Sequence, residues 1–290
     1  MQNQTPPAPD PREALELVRR AIEPLRQGGK TRVPYRAGSS EELASYRHWV
    51  NEQLRFAARG SATPLPAPAG FRSAPIAEWA QLIAEELQSR RGAGALVLRT
   101  GTARPVLIEV PHSFYDEGTL DIGLHAFVVS GARGLLVNTV HRYRIPVAAG
   151  DAGSSQAGSA ASDVAHAETS FFLTAHSACV DILPGLEVVQ LHGFADAAAP
   201  TADLIVSAAG TRADPVPAAR ALGRALGVRA AAYPTQIRVL GGTLNRQARY
   251  SVAAGGSFLH VEISRSLRDK LNAHPDQLSL FVEALLGSAR

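Results

Sequence analysis

The chain has 290 residues, of which 46% are hydrophobic and 19% charged, and its formal net charge is +3. This composition supports a folded core and excludes a disordered chain. The small net charge, carried by scattered arginines, excludes a basic face that would bind nucleic acid.

A single cysteine, Cys179, excludes an intramolecular disulfide and is expected to be a small buried side chain. No run of the sequence approaches the roughly 20 apolar residues that a membrane span needs. Residues 1–11 are polar and rich in proline, and they lack the apolar core of a signal peptide. We therefore expect no membrane partner and, by default, a cytoplasmic location. No pattern sets the compartment or the oligomeric state.

Helical patterns dominate the first ninety residues. Apolar positions recur at helical spacing over residues 12–26, a second helix is predicted from Ser40 toward Phe56, and a third over residues 76–89. We therefore predict that residues 1–92 form a helical N-terminal extension without strands.

From residue 94 onward, short β-branched runs alternate with helical segments. Strands are predicted at residues 95–99, 106–110, 135–140, 186–191, 204–207, 228–231 and 258–263. Helices are predicted at residues 162–183, 217–226, 264–271 and 275–286. This alternation predicts an α/β domain over residues 93–290, with a mixed central sheet flanked by helices. Sheets of this kind bind ligands at the carboxyl ends of their strands.

Metal-binding side chains stand at or near the ends of three predicted strands. His112 follows one strand, with Asp116 and Glu117 just beyond it, while His192 ends a second strand and Glu262 lies in a third. Catalytic zinc takes three ligands from His, Asp or Glu, and it lowers the pKa of a water in its fourth position to about 7. His112, Glu117 and His192 can supply such a set.

The second ligand is predicted in a loop, where periodicity does not decide between the neighbours Asp116 and Glu117. The spacing of five from His112 to Glu117 does not suit one face of a helix. It suits a strand end followed by a tight turn, which Gly118 permits. We prefer Glu117 and keep Asp116 as the alternative.

Three motifs carry a resemblance to known families. The motif His-x-x-x-x-Glu-Gly-Thr from His112 resembles that of the poly-γ-glutamate hydrolases, and its Pro-His-Ser start resembles the N-formylglutamate amidohydrolases. Both belong to the zinc carboxypeptidase-like superfamily. Leu-His-Gly at His192 is similar to the third ligand of these families, and residues 261–267 are similar to their Glu-Ile-x-Arg-x-Leu segment. The resemblance covers roughly residues 96–271 and implies a zinc carboxypeptidase-like, phosphorylase/hydrolase-like fold.

The resemblance also implies roles for individual residues. His112, Glu117 and His192 would hold Zn²⁺, and Glu262 would be the general base that takes a proton from the activated water and then protonates the leaving amine. Arg142 occupies the place of an Asn-Arg segment that grips the substrate carboxylate, and it is also a candidate for polarising the carbonyl. A guanidinium suits this task because it can form two parallel hydrogen bonds with a carboxylate.

A second candidate for anion binding is the pair Asn245 and Arg246. An ordinary surface-loop arginine explains Arg246 equally well. No pattern gives His260 a role beyond packing, and the glycine pair at residues 241–242 is too weak a motif to indicate a nucleotide site.

These expectations describe a zinc-dependent hydrolase that cleaves an amide bond. Its substrate would carry a carboxylate and be an N-acyl amino acid, a γ-glutamyl compound or a peptide-like molecule. The main alternative among enzymes is a cell-wall amidase or peptidase with a similar His/Glu/His zinc site. Outside enzymes, the alternative is a scaffold that binds an acylated amino acid or a partner without turnover.

Overall fold

A nine-stranded sheet forms the centre of the molecule. The computed structural model describes residues 10–27, 35–61, 65–87, 93–143, 162–211 and 214–287. Within these ranges the sheet is mixed and lies between two layers of helices. The predicted α/β class with a mixed, helix-flanked sheet is therefore confirmed; the finer zinc carboxypeptidase-like assignment stays a prediction.

The sheet has a parallel centre with antiparallel pairings on both sides. Its strands are β1 (Phe71–Ala77), β2 (Ala80–Glu85), β3 (Ala95–Arg99), β4 (Arg104–Val110), β5 (Ala132–Val137), β6 (Glu187–Phe194), β7 (Leu204–Gly210), β8 (Ala230–Ala232) and β9 (Ser257–Ser264). Their order across the sheet is β1-β2-β3-β5-β4-β6-β9-β7-β8. Strands β5, β4, β6 and β9 run parallel, whereas β3 and β7 join this centre by antiparallel pairing.

Helices cover both faces of the sheet. They are α1 (Pro11–Gln27), α2 (Ser40–Ala58), α3 (Thr119–Ser130), α4 (Phe171–Ile182), α5 (Val216–Leu226), α6 (Arg246–Ala253), α7 (Arg265–Ala273) and α8 (Pro275–Gly287). Helices α1, α3, α5, α7 and α8 pack on one face, and α2, α4 and α6 pack on the other. Within the described ranges, none of the helices has the length and apolarity needed to span a membrane.

The prediction of helices without strands before residue 93 is wrong. Residues 76–89 were expected to be helical, but β1 and β2 form an antiparallel hairpin there, and β2 pairs on its other side with β3. All six residues of β2 are buried, so burial between two strands outweighs the helix propensity of its Ala, Leu and Glu residues. The hairpin continues the sheet of the later residues. The division into residues 1–92 and 93–290 stays a prediction.

Helix α3 has no counterpart among the predicted elements. It begins after Gly118, which has a φ of 86° and no side chain to cap the helix. Its sequence is apolar on nearly all sides, as expected for a buried helix. A Cβ at Gly123 would lie only 2.5 Å from Cγ2 of Val110, so a glycine is needed where α3 crosses β4.

Alternation along the parallel strands places polar side chains on one face of the sheet. Val189, Leu191 and Val261 point into the core beneath α3 and α7. The intervening residues point to the α4 and α6 face, where His192 is in register with Glu262. The sheet therefore gathers buried polar groups at the carboxyl ends of β4, β6 and β9.

Candidate metal centre

The turn after β4 brings Asp116 back over His112. The backbone N–H of Asp116 donates to the carbonyl of His112 at 2.8 Å, as in one turn of a helix. Residues four apart lie on the same side of such a turn. As a result Oδ2 of Asp116 lies 3.3 Å from Nδ1 of His112.

His192, near the end of β6, completes a triangle of donor atoms. Its Nδ1 lies 3.1 Å from Nδ1 of His112 and 3.6 Å from Oδ2 of Asp116. Tetrahedral zinc bonds of about 2.0–2.1 Å place ligand atoms roughly 3.3–3.4 Å apart. All three residues are buried, and Oδ2 of Asp116 has no hydrogen-bond partner among the described residues. The three side chains therefore fit a divalent metal.

Glu117, the preferred ligand from the sequence, is not brought to the histidines. Its side chain is 65% exposed and forms an ion pair with Arg265 at 2.7 Å. The helical turn that points Asp116 inward points the next residue outward, and the carbonyl of Glu117 accepts a hydrogen bond from Nε of Arg268 at 2.7 Å. The geometry therefore favours Asp116, the alternative, as the acidic ligand.

Both histidines are oriented through their second ring nitrogen. Nε2 of His112 lies 3.0 Å from Oδ1 of Asp163, and Nε2 of His192 lies 2.7 Å from Oε1 of Gln190. Because both partners are acceptors, each Nε2 carries the N–H and each Nδ1 is available to a metal. Neither Asp163 nor Gln190 was identified from the sequence, since no spacing links them to the ligands.

Burial and charge set the protonation of the site. Burial lowers the pKa of His192 to about 4, so this imidazole is neutral at pH 7. Burial opposes ionisation of Asp116, but contacts with His112 and His192 hold its pKa below the usual range. The pKa of His112 is lowered by burial and raised more strongly by Asp116 and Asp163, so the net shift is upward. Two ionised carboxylates beside His112 favour a bound cation.

A buried hydrogen-bond network holds Gln190 in place. Its Nε2 donates to Oε2 of Glu109 at 2.8 Å, and its Oε1 also accepts from Asn245. Oε1 of Glu109 lies 2.8 Å from Nδ1 of His176, whose Nε2 lies 3.2 Å from Oγ of Ser251. Ser251, His176 and Glu109 have the order of a hydrolytic triad, but each is 0% exposed. Because Ser251 is closed to solvent in this structure, we interpret the network as a support that orients His192 through Gln190.

Glu262 and His260, on β9, lie beside the triangle. Burial, followed by the charge of Asp116, raises the pKa of Glu262 to about 8. Its Oε2 has no hydrogen-bond partner among the described residues. His260 was given no role from the sequence, although its two-residue spacing from Glu262 places both on one face. The donor atoms of His192, His260 and Glu262 lie within 4.8 Å of one another, a looser set than the triangle with Asp116.

Arg142 reaches the same site from the segment after β5. Its Nη2 lies 2.5 Å from Oδ2 of Asp163, and its Nη1 lies 3.2 Å from Nδ1 of His112. The guanidinium also lies over the rings of Tyr115 and Tyr143, at 5.4 and 5.1 Å from their centroids. The structure thus brings Arg142 to the metal ligands; its contact with a substrate stays a prediction.

Asn245 and Arg246 have partners within the protein. Asn245 caps α6, with its Oδ1 accepting from the N–H of Ala248 at 3.0 Å, and its amide donates to Gln190. Arg246 pairs with Glu168 at 2.6 Å. These contacts explain both residues structurally, and the predicted substrate contacts stay predictions.

Comparisons with known proteins identify no family. No family model matches the chain, and no curated protein matches it. Among solved structures, an apo, zinc-free form of YNDL is similar at 16% identity and a TM-score of 0.43, over 68% of this chain and 89% of that chain. A bacteriophage poly-γ-glutamate hydrolase is similar at 14% identity and a TM-score of 0.41, over 68% of this chain and 88% of that chain. The functional assignment therefore rests on the geometry of the site.

Proposed function

We propose that this protein is a zinc-dependent hydrolase that cleaves an amide bond in a small or peptide-like substrate bearing a carboxylate. His112, Asp116 and His192 would hold the ion. One observation carries the proposal: three buried donor atoms converge within 3.1 to 3.6 Å, and the carboxylate oxygen among them has no hydrogen-bond partner in the described part of the chain. A buried polar atom left in this state calls for a ligand.

Glu262 is the proposed proton carrier. A bound zinc ion would polarise the substrate carbonyl and lower the pKa of a water molecule. Glu262 would take a proton from the attacking water at Oε2 and deliver it to the nitrogen of the leaving amine. The new C–O bond then replaces the C–N bond, and a carboxylic acid and an amine leave. A nearby cation would also lower the raised pKa of Glu262, which keeps this group ionised before attack.

Arg142 is the proposed anchor for the substrate carboxylate and a candidate for polarising the carbonyl. Asp163 holds one side of its guanidinium, and Tyr115 and Tyr143, each about half exposed, lie against it. Nη1 of Arg142 contacts Nδ1 of His112, and this same nitrogen would bind the metal. Metal binding would therefore release Nη1 of Arg142 toward the substrate.

A substrate screen tests this function. Zinc-loaded wild-type protein is incubated with N-acyl and γ-glutamyl amino acids, and amine release is measured beside the variant Glu262→Gln. We expect turnover by the wild type and a loss of turnover with zinc retained in the variant. A preference for glycan-linked peptides would favour the cell-wall amidase alternative. A chain that stays metal-free when refolded with zinc would contradict the proposal and favour a non-catalytic scaffold.

A further inference from the structure

A cavity of about 440 Å³ lies beside the candidate metal centre. It sits over β7 and β9 on the face covered by α6, the face to which Glu262 points. Its volume is within the roughly 300–1,000 Å³ range of small-molecule pockets. Its walls are mainly apolar and include Ala209, Ala248, Val252, Ala253, Phe258 and His260.

His260 lines the cavity and also lies beside the candidate metal centre. Its ring centroid lies 4.5 Å from that of His192, and its Nε2 lies 3.8 Å from Oε1 of Glu262. Phe258, His260 and Glu262 alternate along β9, so their side chains follow one another on one face at about 7 Å intervals. The cavity therefore adjoins the proposed reaction site at His260.

His260 also presents an unsatisfied polar atom. The residue is 5% exposed, and its Nδ1 has no hydrogen-bond partner within the described ranges. Burying such an atom is unfavourable unless a ligand or water pairs with it. A ligand with a polar group at the His260 end and an apolar remainder would match this cavity.

The glycine pair at residues 241–242 shapes the cavity wall. A Cβ at Gly241 would lie 2.4 Å from the ring of Tyr233, and a Cβ at Gly242 would lie 2.7 Å from the ring of His260. Only glycine lets both rings pack directly against this backbone. The glycine pair is too weak a motif to indicate a nucleotide site, but it has a role in forming this cavity.

We propose that this cavity receives the acyl chain of an N-acyl amino acid, so that the substrate amide lies near Glu262 and the carboxylate points toward Arg142. The inference rests on the proposed function and narrows its substrate class. Among the described lining residues, Arg249 is the only Asp, Glu, Lys or Arg, and it is exposed. The walls therefore suit an apolar chain better than a polyanionic γ-glutamyl polymer.

A matched pair of variants tests this assignment. Ala253 and its neighbour Ala254 are both exposed. Ala253 lines the cavity and Ala254 does not. Binding of N-formyl-, N-hexanoyl- and N-octanoylglycine to the zinc-free full chain is measured by calorimetry. We expect the affinity of the wild type to rise about fourfold per added methylene. Ala253→Glu should abolish this dependence on chain length, and Ala254→Glu should retain it.

The possible failures are distinguishable. The cavity assignment would be overturned if the affinity of the wild type did not depend on acyl-chain length. It would also be overturned if Ala253→Glu and Ala254→Glu lost this dependence equally. If the chain-length test fails but the wild-type protein binds zinc and hydrolyses N-formylglycine, the proposed function stands. If chain length governs binding but the protein takes up no zinc, the cavity assignment stands and the hydrolase proposal fails.

Discussion

Oδ2 of Asp116 lies 3.3 Å from Nδ1 of His112, across a single helical turn that follows β4. This turn makes a metal-binding pair from residues four apart and directs Glu117 to the surface. His192 reaches the pair from the neighbouring parallel strand β6. The candidate centre thus combines a local contact, between His112 and Asp116, with a contact between His192 and His112 that the pairing of β4 with β6 makes possible.

Gln190 should act as a positioning residue for His192. In Gln190→Met the acceptor for Nε2 of His192 is lost, and we expect zinc affinity to fall by about 10–100-fold. Gln277→Met, on α8 at the opposite face of the sheet, is the control. Zinc affinity is measured by competition with a chelator at equal folded fractions. Equal affinities in the two variants would mean that the network around Glu109 serves stability alone.

Arg142 should bind substrate without holding the metal. Arg142→Met removes a cation that contacts Nδ1 of His112, so zinc affinity should not decrease. As the anchor of the substrate carboxylate, Arg142 would contribute a charged hydrogen bond of about 1.5–3 kcal/mol, so the KM for a carboxylate-bearing substrate should rise about 10–100-fold. A fall in kcat in the same variant would measure the second role, polarisation of the carbonyl. The measurements are a zinc titration and steady-state kinetics. Loss of zinc in this variant would contradict the assignment.

Cys179 should report on zinc binding through stability. It is the chain's only cysteine and is 0% exposed in α4, and burial raises the pKa of its thiol. Iodoacetamide should therefore react only when the protein unfolds. Zinc at 100 times its Kd should slow the reaction about 100-fold, which corresponds to about 2.7 kcal/mol. Mass spectrometry follows the alkylation.

In the same assay Asp116→Asn should remove the protection by zinc. Rapid labelling of the native wild type, or protection that persists in the variant, would disagree with this account of the site.

Gly123 should be essential to the packing of α3 on β4. Gly123→Ala places a Cβ against Val110, and overpacking of this kind costs about 1–3 kcal/mol. Gly287→Ala, at the end of α8, meets no atom within 4 Å and should be neutral or slightly stabilising. Urea unfolding measures both. Similar free energies of unfolding for the two variants would show that the close approach of α3 is not limiting.

Hydrophobic patterning predicted the sheet where strands alternate with helices, including β3 at its observed bounds. It failed for β2, because an apolar segment rich in Ala, Leu and Glu satisfies helical and strand patterns alike, and only pairing with β1 and β3 decides. Helix α3 was missed because it has no side-chain cap and little polar face.

Part of the candidate site was accessible from sequence for a physical reason. His192 and Glu262 stand on parallel strands, so strand alternation and the sheet's carboxyl edge bring them together. Asp116 and Glu117 differ only in the direction that a turn gives them, which no strand periodicity sets. His260 could have been identified from its two-residue spacing to Glu262. Asp163 lies distant in sequence, and only the fold brings it to His112.

A zinc titration of matched acidic variants tests the central claim most directly. The variants Asp116→Asn and Glu117→Gln each replace one carboxylate by an amide, and both are compared with the wild-type protein. Circular dichroism checks that all three proteins are folded. We expect one zinc ion per chain in the wild type and in Glu117→Gln, and a loss of zinc binding in Asp116→Asn. Zinc bound equally tightly by Asp116→Asn, or lost on Glu117→Gln, would contradict the account.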